Sequence, residues 1–247
     1  MHIFSTHECM LDFVTIEQEV ENTMSANPKG KTNKSRGEET REKLIQVGLK
    51  LFALNGYNGV SMRNIASVAE VNLATVGYHF GGKLGLYKAV LRSLIERRNF
   101  VFPSMETAAP KLEQLKAGKI KKSELLSWFY REIILGMLGT EHTVYATLLI
   151  NRELVAPSEL YPLLDKEFFN HSIKVLELVL GAVMDESTSR EEAMIVGISL
   201  IGMALKLVHP KVMKDRIGWD GYNAERIEFV TEILCRRAVA FVGCQEA

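Results

Sequence analysis

Residues 72–83, with the sequence NLATVGYHFGGK, carry side chains that are suited to contacts with a polyanion. Thr75 can hydrogen-bond a base edge or a phosphate and can present its methyl group to thymine. Tyr78 and His79 offer further hydrogen-bonding groups for phosphates or base edges. Lys83 begins the next apolar run, where its charge and the free N–H groups of a helix start can hold a phosphate. These residue types indicate contacts with nucleic acid rather than catalysis.

A helix with 100° per residue divides this segment into two faces. The face that we expect to pack on the domain consists of Leu73, Val76 and Phe80. The face that we expect to stay free consists of Ala74, Thr75 and Tyr78. Ala74 and Gly77 are small enough for the backbone to approach a DNA groove closely. The alternative interpretation is that Tyr78 and His79 are ordinary surface or interface residues.

Apolar patterns on both sides of this segment predict a helix-turn-helix. Residues 38–55 predict an amphipathic helix, because their apolar side chains recur at spacings of three and four. A second, short helix over residues 61–69 has Ser61 as its N-cap, and a tight turn at 70–71 joins it to the third helix. Ser61 and Arg63, at the start of the second helix, complete the candidate DNA-binding residues.

The net charge of zero conceals an uneven distribution along the chain. Residues 1–27 carry no lysine or arginine and five acidic residues, a net charge of −5. Residues 28–98 carry 13 basic and 5 acidic residues, a net charge of +8, and residues 99–247 carry 17 and 20, a net charge of −3. A basic block on a neutral protein favours a polyanion partner, although a solvated charged face has the same composition.

These residues resemble the DNA-binding domain of the TetR family of bacterial transcriptional regulators. The family pattern has a first helix that ends in Leu-Phe followed by a glycine, which corresponds to residues 51–56. Ser/Thr-x-Arg-x-Ile-Ala corresponds to residues 61–66, and the aromatic end of the recognition helix to residues 78–80. Residues 83–86 match the Lys-x-x-Leu start of the next helix. Many members have an aromatic residue where Gly77 stands, so the individual contacts of this helix are left open.

A second phrase, INRELVAPSELYPLLDKEF at 150–168, resembles the CecR-like branch of the same family. The resemblance implies an all-α homodimer whose N-terminal three-helix helix-turn-helix domains bind the two half-sites of a palindromic double-stranded DNA operator. It also implies a larger helical-bundle domain for ligand binding and dimerisation. A small-molecule effector bound there would change the spacing of the two DNA-binding domains and release the operator.

The chain divides into three parts on these grounds. Residues 1–36, whose second half is rich in Asn, Lys, Ser and Gly, are expected to form a flexible N-terminal extension. Residues 37–98 form the DNA-binding domain, and residues 99–247 form the ligand-binding and dimerisation domain. Met24 opens a shorter alternative start, so whether residues 1–23 belong to the natural protein is left open.

The C-terminal domain is expected to dimerise through two apolar helices, in the place where the family dimerises. Its periodicity predicts helices at 104–117, 122–138, 141–155, 158–183, 190–208 and 223–243. The last two of these, paired with their symmetry mates, would form a four-helix interface. The candidate interface residues are Ile195, Ile198, Ser199, Gly202, Leu205, Ile227, Val230 and Leu234. The alternative is that both helices belong only to the intramolecular core.

A ligand pocket is expected among the helices at 122–138, 141–155 and 158–183. An apolar cavity with a few polar anchors suits a small, largely apolar effector of unknown identity. The candidate lining residues are Trp128, Phe129, Met137, Tyr145, Arg152, Phe168 and His171. Aromatic and methionine side chains at helical spacing are more often simply core. Arg152 and Glu153 either anchor a charged group of the ligand or pair with a neighbouring helix, and we favour the pairing.

Other chemistries lack residues at the required spacing. The sequence has no glycine-rich phosphate loop, paired-cysteine motif or His-Glu-x-x-His motif, so no catalytic residue, cofactor or metal site is predicted. The three cysteines are expected to be reduced thiols. No apolar run reaches the roughly 18 residues that a membrane span needs, and the N-terminus does not resemble a secretory signal.

The sequence therefore predicts a cytoplasmic, ligand-responsive DNA-binding protein, with a homodimeric repressor as the favoured form. An activator or an effector-independent regulator of the same family is the first alternative. A helical enzyme or a lipid-carrier module is the second, and it would require the whole pattern between residues 38 and 98 to be accidental.

Overall fold

Every regular element in residues 33–244, the part of the chain that the computed structural model describes, is helical. The first four helices are α1 (Asn33–Asn55), α2 (Met62–Val68), α3 (Leu73–Phe80) and α4 (Lys83–Glu96). The others are α5 (Met105–Lys116), α6 (Lys122–Leu138), α7 (Glu141–Val155), α8 (Asn170–Val183), α9 (Arg190–Leu205), α10 (Pro210–Ile217) and α11 (Ala224–Val242). Shorter segments are Arg98–Val101, Tyr161–Leu164, the π-helical Asp165–Phe169 and the 3₁₀-helical Lys206–Val208. The predicted all-α fold is confirmed.

The helix boundaries differ from the prediction in three places. α1 begins at Asn33, so residues 33–36 are helical and do not belong to an extension. The remainder of the predicted extension, residues 1–32, lies outside the described residues. The predicted helix at 158–183 is interrupted by the π-helical turn Asp165–Phe169. α10 was not predicted; its proline stands in the first turn of the helix, where the missing N–H costs no hydrogen bond.

All packing described below lies within the compact unit that begins at residue 42. In that unit, residues 42–96 of α1 to α4 form the N-terminal domain. Its core contains the fully buried side chains of Leu49, Phe52, Ile65, Val76 and Leu86. This arrangement leaves one side of α2 and α3 free of packing.

Helix α6 is the centre of the C-terminal domain, which comprises residues 97–244. It packs against α5, α7, α8, α9 and α11. The Tyr130 hydroxyl donates to the Leu200 carbonyl at 2.7 Å, which joins α6 to α9. The Arg131 guanidinium donates two hydrogen bonds, of 2.9 and 2.6 Å, to the Glu228 carboxylate on α11. These polar contacts fix the register of α9 and α11 on the central helix.

Helix α7 contacts the N-terminal domain along the side of α1. His142 Nδ1 lies 2.8 Å from Gln46 Oε1, so the ring donates to this amide oxygen. Lys50 Nζ lies 2.9 Å from the Glu141 carboxylate. The start of α7 is therefore joined to α1 by two polar contacts.

Gly136 allows the backbone at Val101 to cross α6 at close range. A Cβ atom at Gly136 would lie 2.5 Å from the Val101 carbonyl oxygen and 2.6 Å from that of Phe100. We expect Gly136→Ala to lower the free energy of unfolding by about 1–3 kcal/mol, because rigid backbone would have to move. Gly181→Ala is the control, since nothing lies within 4 Å of its Cβ position. The control should raise stability by roughly 0.5–1 kcal/mol in urea denaturation, and equal stability of both variants would contradict the close approach.

His142 makes the stability dependent on pH. Burial, with Arg97 as the second cause, lowers the pKa of the His142 ring. The unfolded chain therefore takes up a proton near pH 6.5 while the folded ring is still neutral, so stability falls as the pH drops from 7.5 towards the folded pKa. Denaturation of the wild type and His142→Gln at several pH values checks this. The difference in stability between them should shift in favour of the variant at the lower pH, and a constant difference would argue against it.

Candidate nucleic-acid interface and adjoining cavity

Helices α2 and α3 form a helix-turn-helix whose caps are supplied by short polar side chains. The Ser61 hydroxyl accepts from the Asn64 N–H at 3.1 Å, and the Asn72 side chain accepts from the Ala74 N–H at 2.9 Å. Glu70 in the turn has a φ of 55°, in the left-handed region. Capping satisfies N–H groups that a short helix otherwise leaves free. Helices α2 and α3 therefore each begin with a side-chain cap, and the turn between them lets α3 start as a separate helix.

The two faces of α3 differ sharply in exposure. Val76 is fully buried, whereas the side chain of Tyr78 is 86% exposed. Ala74 and Gly77 are also exposed, and no heavy atom lies within 4 Å of a Cβ position at Gly77. The outer face of α3 is therefore open to a DNA groove. Leu73, which we expected to pack inwards, is exposed, because it is the first residue of α3 and lies at the edge of the packed face.

The other candidate DNA-binding residues differ in how exposed they are. Arg63 is exposed at the start of α2, as is Ser61, whose oxygen serves as a cap. Thr75 and His79 are half-buried. The ammonium of Lys83 lies 4.3 Å from the centre of the Tyr57 ring, so a tyrosine that the sequence did not single out holds this cation.

Arg152 and Glu153 at the end of α7 bind the N-terminal domain. Arg152 Nη2 lies 3.3 Å from the Ala53 carbonyl oxygen and 3.2 Å from that of Leu54, so the guanidinium donates to the free carbonyls at the end of α1. The buried Glu153 carboxylate accepts a short hydrogen bond from the Tyr87 hydroxyl on α4. Burial, followed by the neighbouring Glu153, raises the pKa of Tyr87, so its hydroxyl remains a donor.

The Glu153 carboxylate has further donors in the loop after α7. Ser158 donates to Glu153 from its N–H at 3.2 Å and from its hydroxyl at 2.9 Å. Arg152 and Glu153 thus have partners within the protein: backbone carbonyls for Arg152, and hydroxyl and N–H groups for Glu153.

A cavity of about 110 Å³ lies in the C-terminal domain beside α7. Its walls are mostly apolar side chains, with three uncharged polar residues among them. They are Val101, Phe102, Met137, Thr147, Ile150, Asn151, Leu154, Phe168, Phe169, Ser172, Ile173, Leu176, Ile201 and Leu205. Met137 and Phe168 are the two candidate pocket residues that line it.

The other candidate pocket residues do not line this cavity. Phe129 is buried against Phe102, with ring centres 5.6 Å apart, and so lies behind the wall. Trp128 is half-buried beside Lys111. Tyr145 lies beside Lys50, with 5.1 Å between the ammonium and the ring centre. Arg152 contacts α1, and His171 is exposed.

An apolar surface follows α9 on the outside of the C-terminal domain. The side chains of Ile195 and Ile198 are 66% and 62% exposed, and Ser199 and Gly202 beside them are half-buried. On α11, which packs against α9, Phe229 is 55% exposed. We call Ile195, Ile198, Gly202 and Phe229 the α9–α11 surface.

Three candidate interface residues take part in the interior of the protomer instead. Ile227 and Val230 are buried inside the protomer, because that side of α11 packs on α6. Leu205 lines the cavity. Leu234 is half-buried. The outer side of α11 carries Phe229 instead, which the periodicity of the sequence marks only as an aromatic residue on a mostly polar face.

Residues 33–244 contain no group of three or more His, Cys, Asp or Glu side chains placed to hold a metal ion. In the same range, no single helix is both long and apolar enough to cross a bilayer. Two consecutive pairs, α6 with α7 and Arg190–Val208 with Lys211–Ile217, have the combined length and composition but are bent by 97° and 79°.

Two family descriptions match separate parts of the chain. Residues 44–90 match "Bacterial regulatory proteins, tetR family". Residues 123–243 match the C-terminal domain of "HTH-type transcriptional dual regulator CecR". A relative from Shigella flexneri, the HTH-type transcriptional dual regulator CecR, is 26% identical over 200 residues, which covers 80% of this chain and 88% of that protein. The matched segments contain the helix-turn-helix and almost the whole C-terminal bundle.

Solved structures of transcriptional regulators share the fold. HlyIIR, a hemolysin II transcriptional regulator, superposes with a TM-score of 0.55 at 20% identity, covering 83% of this chain and 98% of that one. AibR, in complex with isovaleryl coenzyme A and operator DNA, superposes with a TM-score of 0.58 at 15% identity, covering 80% and 97%. With its helix-turn-helix, its all-α architecture and both matching segments, this chain belongs to the TetR family of bacterial transcriptional regulators and has a CecR-type C-terminal domain.

Proposed function

We propose that this protein is a homodimeric transcriptional repressor that binds a palindromic operator and releases it when a small, largely apolar effector enters the cavity beside α7. The exposed outer face of α3 is the observation that carries the DNA-binding part. Val76 is buried and anchors this helix, while Ala74, Gly77 and Tyr78 are exposed. Such a face suits the major groove, which admits an α-helix.

Charge and side-chain placement support the DNA complex. Residues 28–98 carry a net charge of +8, which favours approach to a polyanion. Arg63 at the start of α2 and Lys83 at the start of α4 would contact phosphates near α3. A phosphate can draw the Lys83 ammonium away from the Tyr57 ring, because a full charge attracts it more strongly than an aromatic face. Tyr78 is then the side chain that reaches furthest into the groove.

Helix α7 supports the ligand response, because it carries both the cavity wall and the contacts with the N-terminal domain. Thr147, Asn151 and Leu154 line the cavity. Arg152 and Glu153, interleaved with them, bind α1 and α4. A ligand that moves the part of α7 that lines the cavity would therefore also move the contacts of α7 with the N-terminal domain. The AibR complex contains a ligand and operator DNA in the same fold, which makes such coupling a reasonable proposal for this chain.

The α9–α11 surface supports dimerisation. Ile195, Ile198 and Phe229 expose large apolar side chains on neighbouring helices, and Gly202 permits close approach of a second helix. Burial of these side chains in an isologous four-helix contact would remove them from water. A dimer is also the form that binds two half-sites. We place the protein in the cytoplasm, where its DNA would be, and assign it no enzymatic activity.

Transcriptional activation is a second candidate, because the CecR relative is described as a dual regulator. Reporter fusions to promoters that contain the operator separate the two functions. Deletion of the protein should raise expression from a repressed promoter and lower expression from an activated one.

Tyr78→Ala tests the DNA interface. An operator would first be selected from genomic fragments, and the wild type should bind it about 10³-fold or more tightly than unrelated DNA near physiological salt. Tyr78→Ala should weaken operator binding by about tenfold or more with unchanged helical content, because its side chain is exposed. Tyr78→Phe separates the hydroxyl from the ring. Wild-type affinity of Tyr78→Ala would remove the recognition role of this face, and the absence of any preferred fragment would remove the proposed function.

Ile198→Asp tests the dimer surface. A carboxylate at the centre of the α9–α11 surface would be buried without a partner on association, so the variant should sediment as a monomer at concentrations where the wild type is a dimer. Its operator affinity should fall, because only one half-site is bound at a time. Val212→Asp, which also replaces an exposed apolar side chain, is the control and should remain a dimer. A dimeric Ile198→Asp would place the interface elsewhere.

A further inference from the structure

The cavity beside α7 exposes a wholly apolar surface, although three polar residues stand in its wall. The Thr147 hydroxyl is buried without a hydrogen-bond partner among the described residues, and it is not part of the cavity surface. The Ser172 hydroxyl donates to the Phe168 carbonyl at 3.1 Å. Asn151 likewise presents no polar atom to the space inside. The cavity therefore offers a ligand no hydrogen-bond donor or acceptor.

Such a surface determines which chemical groups can occupy the cavity. A hydroxyl, amide or ether oxygen inside would lose its hydration and would find no partner in exchange. An ionised group would lose more, because no Asp, Glu, Lys, Arg or His side chain lines the wall. The transfer of a methyl or methylene group out of water is favourable instead. The part of a ligand that enters must therefore be hydrocarbon.

The size of the cavity limits the length of this hydrocarbon part. A dry apolar cavity of about 150 Å³ takes up benzene. The volume beside α7 is about 110 Å³. It therefore suits an alkyl group of roughly four or five carbon atoms.

The cavity is open to solvent on one side. Leu154 of α7 and Ile173 of α8 belong to its lining, and their side chains are 49% and 36% exposed. Other lining side chains, among them Met137, Phe168 and Leu176, are buried. A ligand that is longer than the cavity can thus keep its far end in water, beyond Leu154 and Ile173.

We infer that the cavity takes up only the hydrocarbon end of an amphiphilic molecule, whose polar part remains outside, beyond Leu154 and Ile173. The inference rests on the proposed function in so far as this molecule is the effector. It narrows the effector from any small, largely apolar compound to one that ends in an alkyl group of roughly four or five carbon atoms without a polar atom. It excludes compounds that carry polar atoms near both ends.

Hexan-1-ol and 3-ethoxypropan-1-ol are matched probes, because the two chains have the same length and differ only where an ether oxygen replaces a methylene. That position is the third from the methyl end, so it lies inside the cavity when the alkyl end enters. Hexan-1-ol should bind the full chain at least about tenfold more tightly in calorimetric titration, because the ether oxygen loses its hydration.

Octan-1-ol tests the size limit. Its affinity should lie within about threefold of that of hexan-1-ol, because the additional methylenes stay outside the cavity. Full burial of two more methylenes would instead raise the affinity by more than about tenfold.

Methyl NMR of the full chain locates the bound probes. The buried Met137 side chain lines the cavity, so its methyl resonance should move on titration with hexan-1-ol. Met213 is also buried but does not line the cavity, so its methyl resonance should stay in place. Binding to the exposed α9–α11 surface would leave Met137 unmoved.

Ser172→Leu fills part of the cavity with a larger side chain. Its affinity for hexan-1-ol should fall by at least about tenfold, because the alkyl end and the new side chain compete for the same space. Ser93→Leu is the matched control. Ser93 is another half-buried serine whose hydroxyl donates within its own helix, at 2.8 Å to the Val90 carbonyl, and it lies outside the cavity lining. The control should bind hexan-1-ol like the wild type.

The comparison of hexan-1-ol with its ether analogue uses the wild type and depends on no variant. Equal affinities of these two probes would overturn the inference, as would a much tighter binding of octan-1-ol, a Met137 methyl resonance that no probe moves, or unchanged binding of hexan-1-ol by Ser172→Leu. Operator binding of the same preparations, measured without probes, keeps this result apart from the proposed function. A protein that binds its operator but no probe at Met137 refutes the cavity inference alone. A protein that binds the probes as expected but no operator refutes the DNA-binding proposal alone.

Discussion

The attachment of the N-terminal domain depends on the hydrogen bonds that the buried Glu153 carboxylate accepts. A charge taken out of water is costly unless hydrogen-bond donors surround it. Tyr87 supplies a donor from α4, and Ser158 supplies two from the loop after α7. Withdrawal of α4 would leave the carboxylate with donors on one side only. The N-terminal domain and α7 are therefore held in one arrangement, and a second arrangement would require a new set of donors.

Helix α7 therefore takes part both in the contact with the N-terminal domain and in the wall of the cavity. The helix begins with polar contacts to α1, ends with Arg152 on the carbonyls of α1, and lines the cavity in between. One helix forms both a wall of the cavity and the contact with the N-terminal domain. Packed interfaces of this kind move between discrete arrangements rather than deform gradually. Thr147 and Asn151 in the cavity wall lie on the same helix as Arg152 and Glu153, which contact α1 and α4.

The recognition helix α3 is stabilised in a different way, because most of its surface has to remain exposed. α3 is only eight residues long, and Gly77 in its interior lowers its intrinsic helix propensity. Its ends compensate: Asn72 caps the start, and Gly81 ends the helix in the left-handed conformation with its N–H bonded to the Gly77 carbonyl. Local capping therefore supplies what packing cannot, and it leaves the outer side chains free for readout.

The helices and the helix-turn-helix could be predicted without the structure, because they depend on residues that are close together in the chain. Helical periodicity and capping residues located nearly all the helices, and the spacing around residues 61–86 identified the helix-turn-helix. The same periodicity did not show which side of an all-round apolar helix faces the core. Ile227 and Val230 were therefore expected at a dimer surface, although they are buried inside the protomer, whereas the exposed Phe229 was not among the candidates.

The sequence predicted a ligand pocket among the C-terminal helices, and a cavity lies there, but most of the cavity's lining residues were not among the candidates. Met137 and Phe168 lie in its wall, whereas Trp128, Tyr145 and His171 do not. Contacts between residues far apart in the chain depend on how helices cross, which no local pattern encodes. The unpartnered hydroxyl of Thr147 and the donors around Glu153 are of this kind. The local sequence thus determined the helices, their caps and the family, and only the tertiary structure decided which polar groups are satisfied and which remain without a partner among the described residues.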